Sequence, residues 1–159
     1  MLCFSLFPAA QEKLRRNPSL VQSAVEEILR YMTPSRAFSR EVIGTRGRFA
    51  KQDAEIGGHH IHKGDVVRPI TFSANFDEDQ FADPERFDIE RNPNRHIAFG
   101  HGIHFCLGAP LARLEARIVL AEMIKRFSDW EVLEPDKLEM MDSTLIFGVQ
   151  HLPMNFQRI

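Results

Sequence analysis

Residues 99–108 read FGHGIHFCLG and place Cys106 among three glycines, just before a predicted helix that has Pro110 in its first turn. Glycine permits unusual backbone dihedral angles, lets a flat ligand approach the main chain, and leaves N–H groups free to face an anion. The N-terminal end of a helix favours the thiolate, which is the form of cysteine that binds a metal. Taken alone, a cysteine in such a stretch is more often a small buried hydrophobic residue beside an incidental turn.

The whole stretch resembles the haem-binding loop of the cytochrome P450 family, whose pattern is Phe-Gly-x-Gly-x-Arg/His-x-Cys-x-Gly. The resemblance implies that Cys106 is the axial thiolate ligand of a b-type haem iron. It also implies that Phe99 packs beneath the porphyrin near the sulfur and that His104 reaches a haem propionate. The glycines that match the pattern are Gly100, Gly102 and Gly108.

A second pattern of the family, Glu-x-x-Arg, occurs upstream at Glu27 and Arg30. In the family this pair is buried and supports the haem-side scaffold. Residues 81–87, FADPERF, resemble the family's meander, so Arg86 is our candidate for a third member that shares Glu27 with Arg30. The alternative is an exposed salt bridge, because residues three apart share a helix face and the preceding helix repeats the spacing.

The resemblance further implies an arginine that binds a haem propionate through both of its terminal nitrogens. Counting six residues forward from Pro34 selects Arg40. Counting backwards from the Asp-x-Glu-x-Gly signature at 53–57 selects Arg48 instead. We prefer Arg40, and the choice between the two stays open at this point.

Residues 9–16 are predicted to form a short helix that ends at Asn17-Pro18, because proline disfavours helical geometry in the residue before it. Two longer helices, at residues 19–34 and 111–127, are predicted from apolar side chains that recur every three or four residues. Ser19 and Gln22 have the spacing of a capping box, which predicts where the second helix begins. The third helix has so many apolar positions that we expect it to be buried on most sides.

The rest of the chain is expected to be β or irregular. Glycines and short β-type runs within residues 36–67 predict a small sheet, and residues 75–105 predict a long loop. Alternating apolar residues near the C-terminus predict a terminal hairpin around Gln150 and His151. The fold class is therefore mainly α with small β-sheets (α+β), and the resemblance makes it the C-terminal portion of the cytochrome P450 fold.

Composition describes an ordinary globular chain of 159 residues with a formal net charge of −2. That charge favours neither a nucleic-acid partner nor an anionic membrane. The two cysteines, Cys3 and Cys106, do not make a disulfide framework, and no stretch resembles a signal peptide or a membrane span. We therefore expect a cytoplasmic protein.

His59, His60 and His62 invite a metal-binding interpretation, because alternation in a strand places His60 and His62 on one face. No further cysteine or carboxylate lies at structural-zinc spacing, and the segment matches an ordinary hairpin of the family. We therefore favour the hairpin without a metal.

The resemblance extends from about Ala9 to Phe156 but matches only the C-terminal part of the family. Residues 1–159 are thus expected to form a single haem-binding portion. Nothing in them matches the family's distal helix with its Ala/Gly-Gly-x-Asp/Glu-Thr groove. Three interpretations stay open: the haem-ligating part of a monooxygenase that needs the distal part, a non-catalytic haem-binding module, or a truncated and inactive gene product.

The resemblance implies hydroxylation of an apolar small molecule with O2 and two electrons. Those electrons would come from NAD(P)H through a separate ferredoxin or flavoprotein. A basic face for an acidic donor is a hypothesis resting on Arg91, Arg95 and Arg113, which flank the cysteine loop. The alternative for these arginines is a solvated charged rim.

Overall fold

The computed structural model describes residues 1–34, 48–142 and 146–159. Four short helical segments open the chain: α1 (Leu2–Leu6), α2 (Pro8–Arg16), a 3-10 turn (Pro18–Leu20) and α3 (Val21–Tyr31). Proline begins α2 and ends it, because proline suits the first turn of a helix and disfavours helical geometry in the residue before it. The predicted capping box is wrong, since Ser19 lies in the 3-10 turn and its hydroxyl donates to Asn17 Oδ1.

The middle of the chain contains two small antiparallel sheets instead of one. Strand β1 (Arg48–Phe49) pairs with β4 (Val66–Val67), and β2 (Ala54–Ile56) pairs with β3 (His59–Ile61). A single turn of helix, α4 (Thr71–Ala74), follows. From residue 75 to residue 101 the backbone forms turns and bends, as the sequence predicted.

The C-terminal third contains the longest helix, α5 (Ala109–Arg126), between 3-10 turns at Gly102–His104 and Pro135–Lys137. Strand β5 (Phe127–Val132) leaves α5 directly and pairs antiparallel with β6 (Met154–Arg158). The predicted terminal hairpin is therefore wrong: β6 pairs with β5, while Val149 forms a bridge with Met140. Alternation of apolar residues can indicate a strand, but it does not reveal a pairing partner so far away in sequence.

The core is where α1, α3, α5 and β5 meet. Phe4 is fully buried, and its ring lies edge-on to the rings of Phe87 and Trp130 at centroid distances of 6.0 Å. Full burial of an apolar side chain contributes roughly 1.5–3 kcal/mol, so this aromatic cluster is a major stabilising contact between α1, β5 and the irregular segment.

Helix α5 is not buried on most sides, which corrects the sequence expectation. Ala109 and Leu120 are its buried residues. Four apolar side chains on it are more than half exposed: Leu111, Leu114, Ile118 and Val119. Apolar periodicity shows that a face is suited to burial, but not that the described residues bury it.

Candidate functional site

The cysteine loop, residues 99–108, is closed by its own backbone. The Cys106 N–H donates to the Phe99 carbonyl at 2.9 Å, and the Phe105 N–H donates to the Gly102 carbonyl at 3.0 Å. Gly100 and Gly102 have φ values of +76° and +67°. Side chains are strained at such angles, so the loop requires glycine at both positions.

Cys106 is exposed on this loop and is surrounded by exposed apolar side chains. Ile103 and Leu107 are each 98% exposed, and Phe105 is 49% exposed. The thiol can bind a metal, and the exposed apolar groups can contact an apolar ligand. Because the glycines have no Cβ atoms, a flat ligand can also approach the backbone closely. The loop therefore fits a flat apolar ligand that carries a metal.

Helix α5 begins directly behind the thiol. The Ala109 N–H donates to the Cys106 carbonyl at 3.2 Å, and the Ala112 N–H donates to the Gly108 carbonyl at 2.9 Å. The arrangement places Cys106 at the N-terminal end of an eighteen-residue helix. Unpaired N–H groups at that end carry partial positive charge, which favours an anionic sulfur or ligand nearby.

Arg113, on α5, holds one end of the loop. Its guanidinium carbon lies 4.7 Å from the centroid of the Phe99 ring, a cation–π contact. The same guanidinium donates to both carboxylate oxygens of Glu26 on α3, at 2.9 and 3.0 Å. Phe99 is therefore packed under a side chain that α3 orients.

Glu26 also meets His96, whose ring nitrogen Nε2 lies 3.0 Å from its carboxylate. Burial alone would raise the pKa of Glu26, but hydrogen bonds from Arg113 and His96 hold it below its usual value. The pKa of His96 is lowered by burial, and its bond to Glu26 offsets part of that effect. No local pattern predicts this contact, because His96 lies in an irregular segment that is far from α3 in sequence.

Glu27 and Arg30 form a buried ion pair, in keeping with the Glu-x-x-Arg interpretation and not with the exposed alternative. Both side chains are 0% exposed, and the two nitrogens Nε and Nη2 of Arg30 each lie 2.9 Å from a Glu27 oxygen. Two parallel bonds of this kind make a strong and directional pair.

Arg86 is not the third member of this group. Its side chain is 66% exposed and lies 3.5 Å from Asp88. Arg91 contacts Glu27 instead, at 3.3 Å, and its side chain is only 10% exposed. Arg86 contributes its carbonyl oxygen, which accepts from both Arg30 and Arg91.

Asn75 connects this group to the cysteine loop and was missed by the sequence analysis. It is fully buried, and its carbonyl accepts from Arg30 Nη1 at 2.8 Å. Its side-chain oxygen accepts from the Ile97 N–H at 2.8 Å, two residues before Phe99. No pattern distinguishes this asparagine from the many polar residues of a long loop.

The structure supports the predicted propionate ligands and the predicted basic face less fully than it supports the cysteine loop. Arg40 lies outside the described residues, while Arg48 is exposed in β1, and His104 is exposed on the 3-10 turn of the cysteine loop. The predicted basic face is wrong for two of its three arginines. Arg91 and Arg113 have carboxylate partners, and Arg95 is exposed.

The chain is similar in sequence to known proteins along almost all of its length. The sequence profile of the family described as "Cytochrome P450" matches residues 9–158. The putative cytochrome P450 YjiB of Bacillus subtilis is 48% identical over 143 residues, covering 90% of this chain and 33% of that protein. The polyketide biosynthesis cytochrome P450 PksS of Bacillus subtilis is 42% identical over 148 residues, covering 92% of this chain and 35% of that protein.

Solved structures of other proteins superpose on almost the whole of this chain. The solved structure of PksS superposes with a TM-score of 0.86 at 39% identity, covering 98% of this chain and 38% of that chain. CYP109E1 from Bacillus megaterium in complex with corticosterone gives a TM-score of 0.83 at 38% identity, with coverages of 98% and 40%.

The chain thus spans about a third of the length of the curated relatives it matches. Among the described residues, no helix combines the length and apolar character needed to cross a bilayer. The resemblance and the α+β fold class are confirmed. A profile match over nearly the whole chain, with relatives above 40% identity, shows that the chain belongs to the cytochrome P450 family.

Proposed function

We propose that residues 1–159 are the haem-thiolate portion of a cytochrome P450 monooxygenase, with Cys106 as the axial ligand of a b-type haem. The observation that carries this proposal is the exposed Cys106 thiol on a closed glycine loop at the N-terminal end of α5. A haem ligated by a thiolate supplies the chemistry that favours cleavage of the O–O bond. The chain's own residues bind and orient that group.

Phe99 and the loop glycines provide the surface for the porphyrin. Phe99 is kept in position by Arg113, and its ring centroid lies 6.4 Å from that of Phe105. Gly100 and Gly102 allow the main chain to turn beneath the ring. Gly108 lies beside the sulfur, where a Cβ would make an ordinary van der Waals contact of 3.8 Å with Cys106 Sγ. His104 is assigned to one propionate, and Arg40 or Arg48 to the other.

The buried group of Glu27, Arg30 and Arg91 has a structural role in this proposal. It joins α3 to the irregular segment that leads into the cysteine loop, through Asn75 and the Ile97 N–H. Buried charges that satisfy one another in this way resist displacement, because moving any partner leaves the others unpaired. The loop thereby keeps its geometry without a regular secondary structure upstream.

The whole protein is proposed to hydroxylate an apolar small molecule, using electrons from NAD(P)H delivered by a ferredoxin or flavoprotein. The names of two relatives support the substrate class: one is the 6-deoxyerythronolide B hydroxylase of Saccharopolyspora erythraea, and another is a steroid C26-monooxygenase of Mycobacterium tuberculosis. A structural neighbour, P450BioI, was solved in complex with an acyl carrier protein that carries hexadec-9Z-enoic acid, whose long chain is also apolar.

The absorption spectrum of the reduced carbonyl complex tests the ligand assignment. Thiolate ligation shifts the Soret band strongly to the red, so the haem-loaded chain should show that band and Cys106→Ser should lose it. Cys3→Ala is the matched control, because Cys3 is the other cysteine and is buried away from the loop. An unchanged band in Cys106→Ser, or its loss in a folded Cys3→Ala variant, would contradict the proposal.

A further inference from the structure

The β2–β3 hairpin presents several metal-binding side chains on one face. Gly57 and Gly58 form its two-residue turn with φ values of +58° and +77°, the left-handed geometry that suits a tight hairpin. Glu55 lies opposite His60, and Ala54 opposite Ile61. Because side chains alternate along a strand, one face of the hairpin, which we call the hairpin face, is formed by Asp53, Glu55, His60 and His62.

Three of these residues are close enough to share an ion. One donor atom from each of Asp53, His60 and His62 lies within 4.8 Å of the other two. His60 Nε2 is 3.9 Å from Asp53 Oδ2, and the two imidazole rings meet edge-on with centroids 4.5 Å apart. Sequence spacing alone did not reveal the carboxylate, because Asp53 reaches the histidines across the hairpin.

One hydrogen bond from a backbone N–H holds the Asp53 carboxylate, and another holds the main chain at His62. Asp53 Oδ1 accepts from the Lys63 N–H at 2.8 Å, which leaves Oδ2 directed at His60. The His62 N–H donates to Asp65 Oδ2 at 2.8 Å. The bond to Asp53 reduces the rotational freedom that its side chain loses on binding an ion.

We propose that Asp53, His60 and His62 form a binding site for a divalent transition-metal ion of the Zn²⁺ class. Two imidazole nitrogens and one carboxylate oxygen suit such ions, which take ligands at about 2.0–2.2 Å. Donor atoms around a tetrahedral ion at that distance lie about 3.4 Å apart, so the observed spacing must contract by roughly an ångström. All three side chains are exposed, so rotation of the two imidazoles can make that adjustment.

The charge of the hairpin face favours a cation. Glu55 is the cross-strand neighbour of His60 and adds a second carboxylate beside the site. The proposal involves no residue of the cysteine loop, so it stands or fails independently of the haem assignment.

Zn²⁺ titration of the full 159-residue chain by isothermal calorimetry tests the site. A Cys106→Ser background removes the exposed thiol as a competing ligand. We expect one saturable site, weakened about tenfold or more by His60→Ala, His62→Ala or Asp53→Asn. His59→Ala is the matched control: it removes a histidine from the same hairpin, but from the opposite face, and should change the affinity less than about twofold.

A second measurement locates the ion without relying on variants. Paramagnetic Ni²⁺ should broaden the backbone amide NMR signals of residues 53–65 before those near His101, His104 or His151. Two results would overturn the proposal: no saturable Zn²⁺ binding, or equal loss of affinity in His59→Ala and His60→Ala. Earlier broadening near another histidine would overturn it as well.

Discussion

A carboxylate with no exposed surface is costly unless donors surround it, and Glu27 shows how the chain meets that requirement. In addition to Arg30, it accepts from the Asp88 N–H, from Arg91 Nε and from Asn94 Nδ2. Most of these donors come from the irregular segment. One side chain on α3 therefore binds three points of a long loop that has no strand pairing of its own.

The first prediction separates Arg91 from Arg86. Arg91→Ala removes a donor to Glu27 and leaves the carbonyls of Ala82 and Asp83 without this partner, so it should lower the free energy of unfolding by about 2–3 kcal/mol. Arg86→Ala, at an exposed side chain, should change it by less than about 0.5 kcal/mol. Urea unfolding monitored by circular dichroism measures both, and a larger effect at Arg86 would contradict the structural assignment.

The second prediction concerns pH. His96 is nearly buried and its pKa lies below the usual value, so the unfolded chain takes up a proton first on acidification. The free energy of unfolding should therefore fall as the pH drops through about 6.5, the ordinary histidine value, towards the folded pKa. Glu26, whose pKa is also lowered, should add a further loss below its ordinary value of 4.5.

Urea midpoints measured between pH 7.5 and pH 4 check this dependence. His96→Gln keeps a hydrogen-bond donor for Glu26 but does not titrate. It should therefore flatten the dependence of the free energy of unfolding on pH above pH 5, and leave that dependence unchanged below pH 5. His151→Gln, at an exposed position, is the control and should leave both slopes unchanged. An unflattened slope in His96→Gln would assign the effect to another group.

At the scale of elements, the pairing of β5 with β6 is the clearest departure from the sequence prediction, and it is testable. Glu131 lies opposite Asn155, whose side-chain nitrogen is 3.1 Å from a Glu131 oxygen. Directly opposed residues lie within the range that a disulfide spans. In a Cys106→Ser background, the pair Glu131→Cys and Asn155→Cys should oxidise readily to an intramolecular disulfide.

An off-register pair is the control for that cross-link. Glu131→Cys combined with Gln157→Cys shifts one partner by two positions along β6, so it should form the disulfide much more slowly. Mass spectrometry after mild oxidation quantifies both products. Equal yields from the two pairs would mean that the register is wrong.

The sequence predicted the elements whose signals are local. Helices α3 and α5 carry their own apolar period, and the cysteine loop carries a dense pattern, so all three were located correctly. The partner of β6 and the role of Arg91 were not, because both depend on which distant segments meet. The resemblance of residues 81–87 to the meander selects Arg86, but spacing within an irregular segment does not determine side-chain direction, and it is Arg91 that contacts Glu27.

At the scale of the whole molecule, the described residues provide a candidate iron ligand, Cys106, and the buried contacts that hold its loop. They leave the surface around Cys106 exposed to solvent. Ile103 and Leu107 are almost fully exposed beside Cys106, and α5 exposes a row of apolar side chains. Apolar surface of this extent is typical of a face that packs against more protein. The relatives are about three times as long as this chain, which is consistent with such packing.

The last prediction follows from that exposure: the 159-residue polypeptide by itself, loaded with haem, should not couple NADPH oxidation to hydroxylation. Hydroxylation requires a substrate held in place and a controlled proton supply, whereas the described residues around Cys106 leave the site open to water. Electrons from NADPH should instead reduce O2 to hydrogen peroxide. The measurement uses a competent reductase and a panel of apolar substrates. The hydrogen peroxide released should account for the NADPH that the chain consumes beyond the amount consumed by a Cys106→Ser control. Hydroxylated product in stoichiometric proportion to NADPH would contradict the prediction and would mean that this polypeptide, alone or as an assembly of its own copies, encloses the substrate.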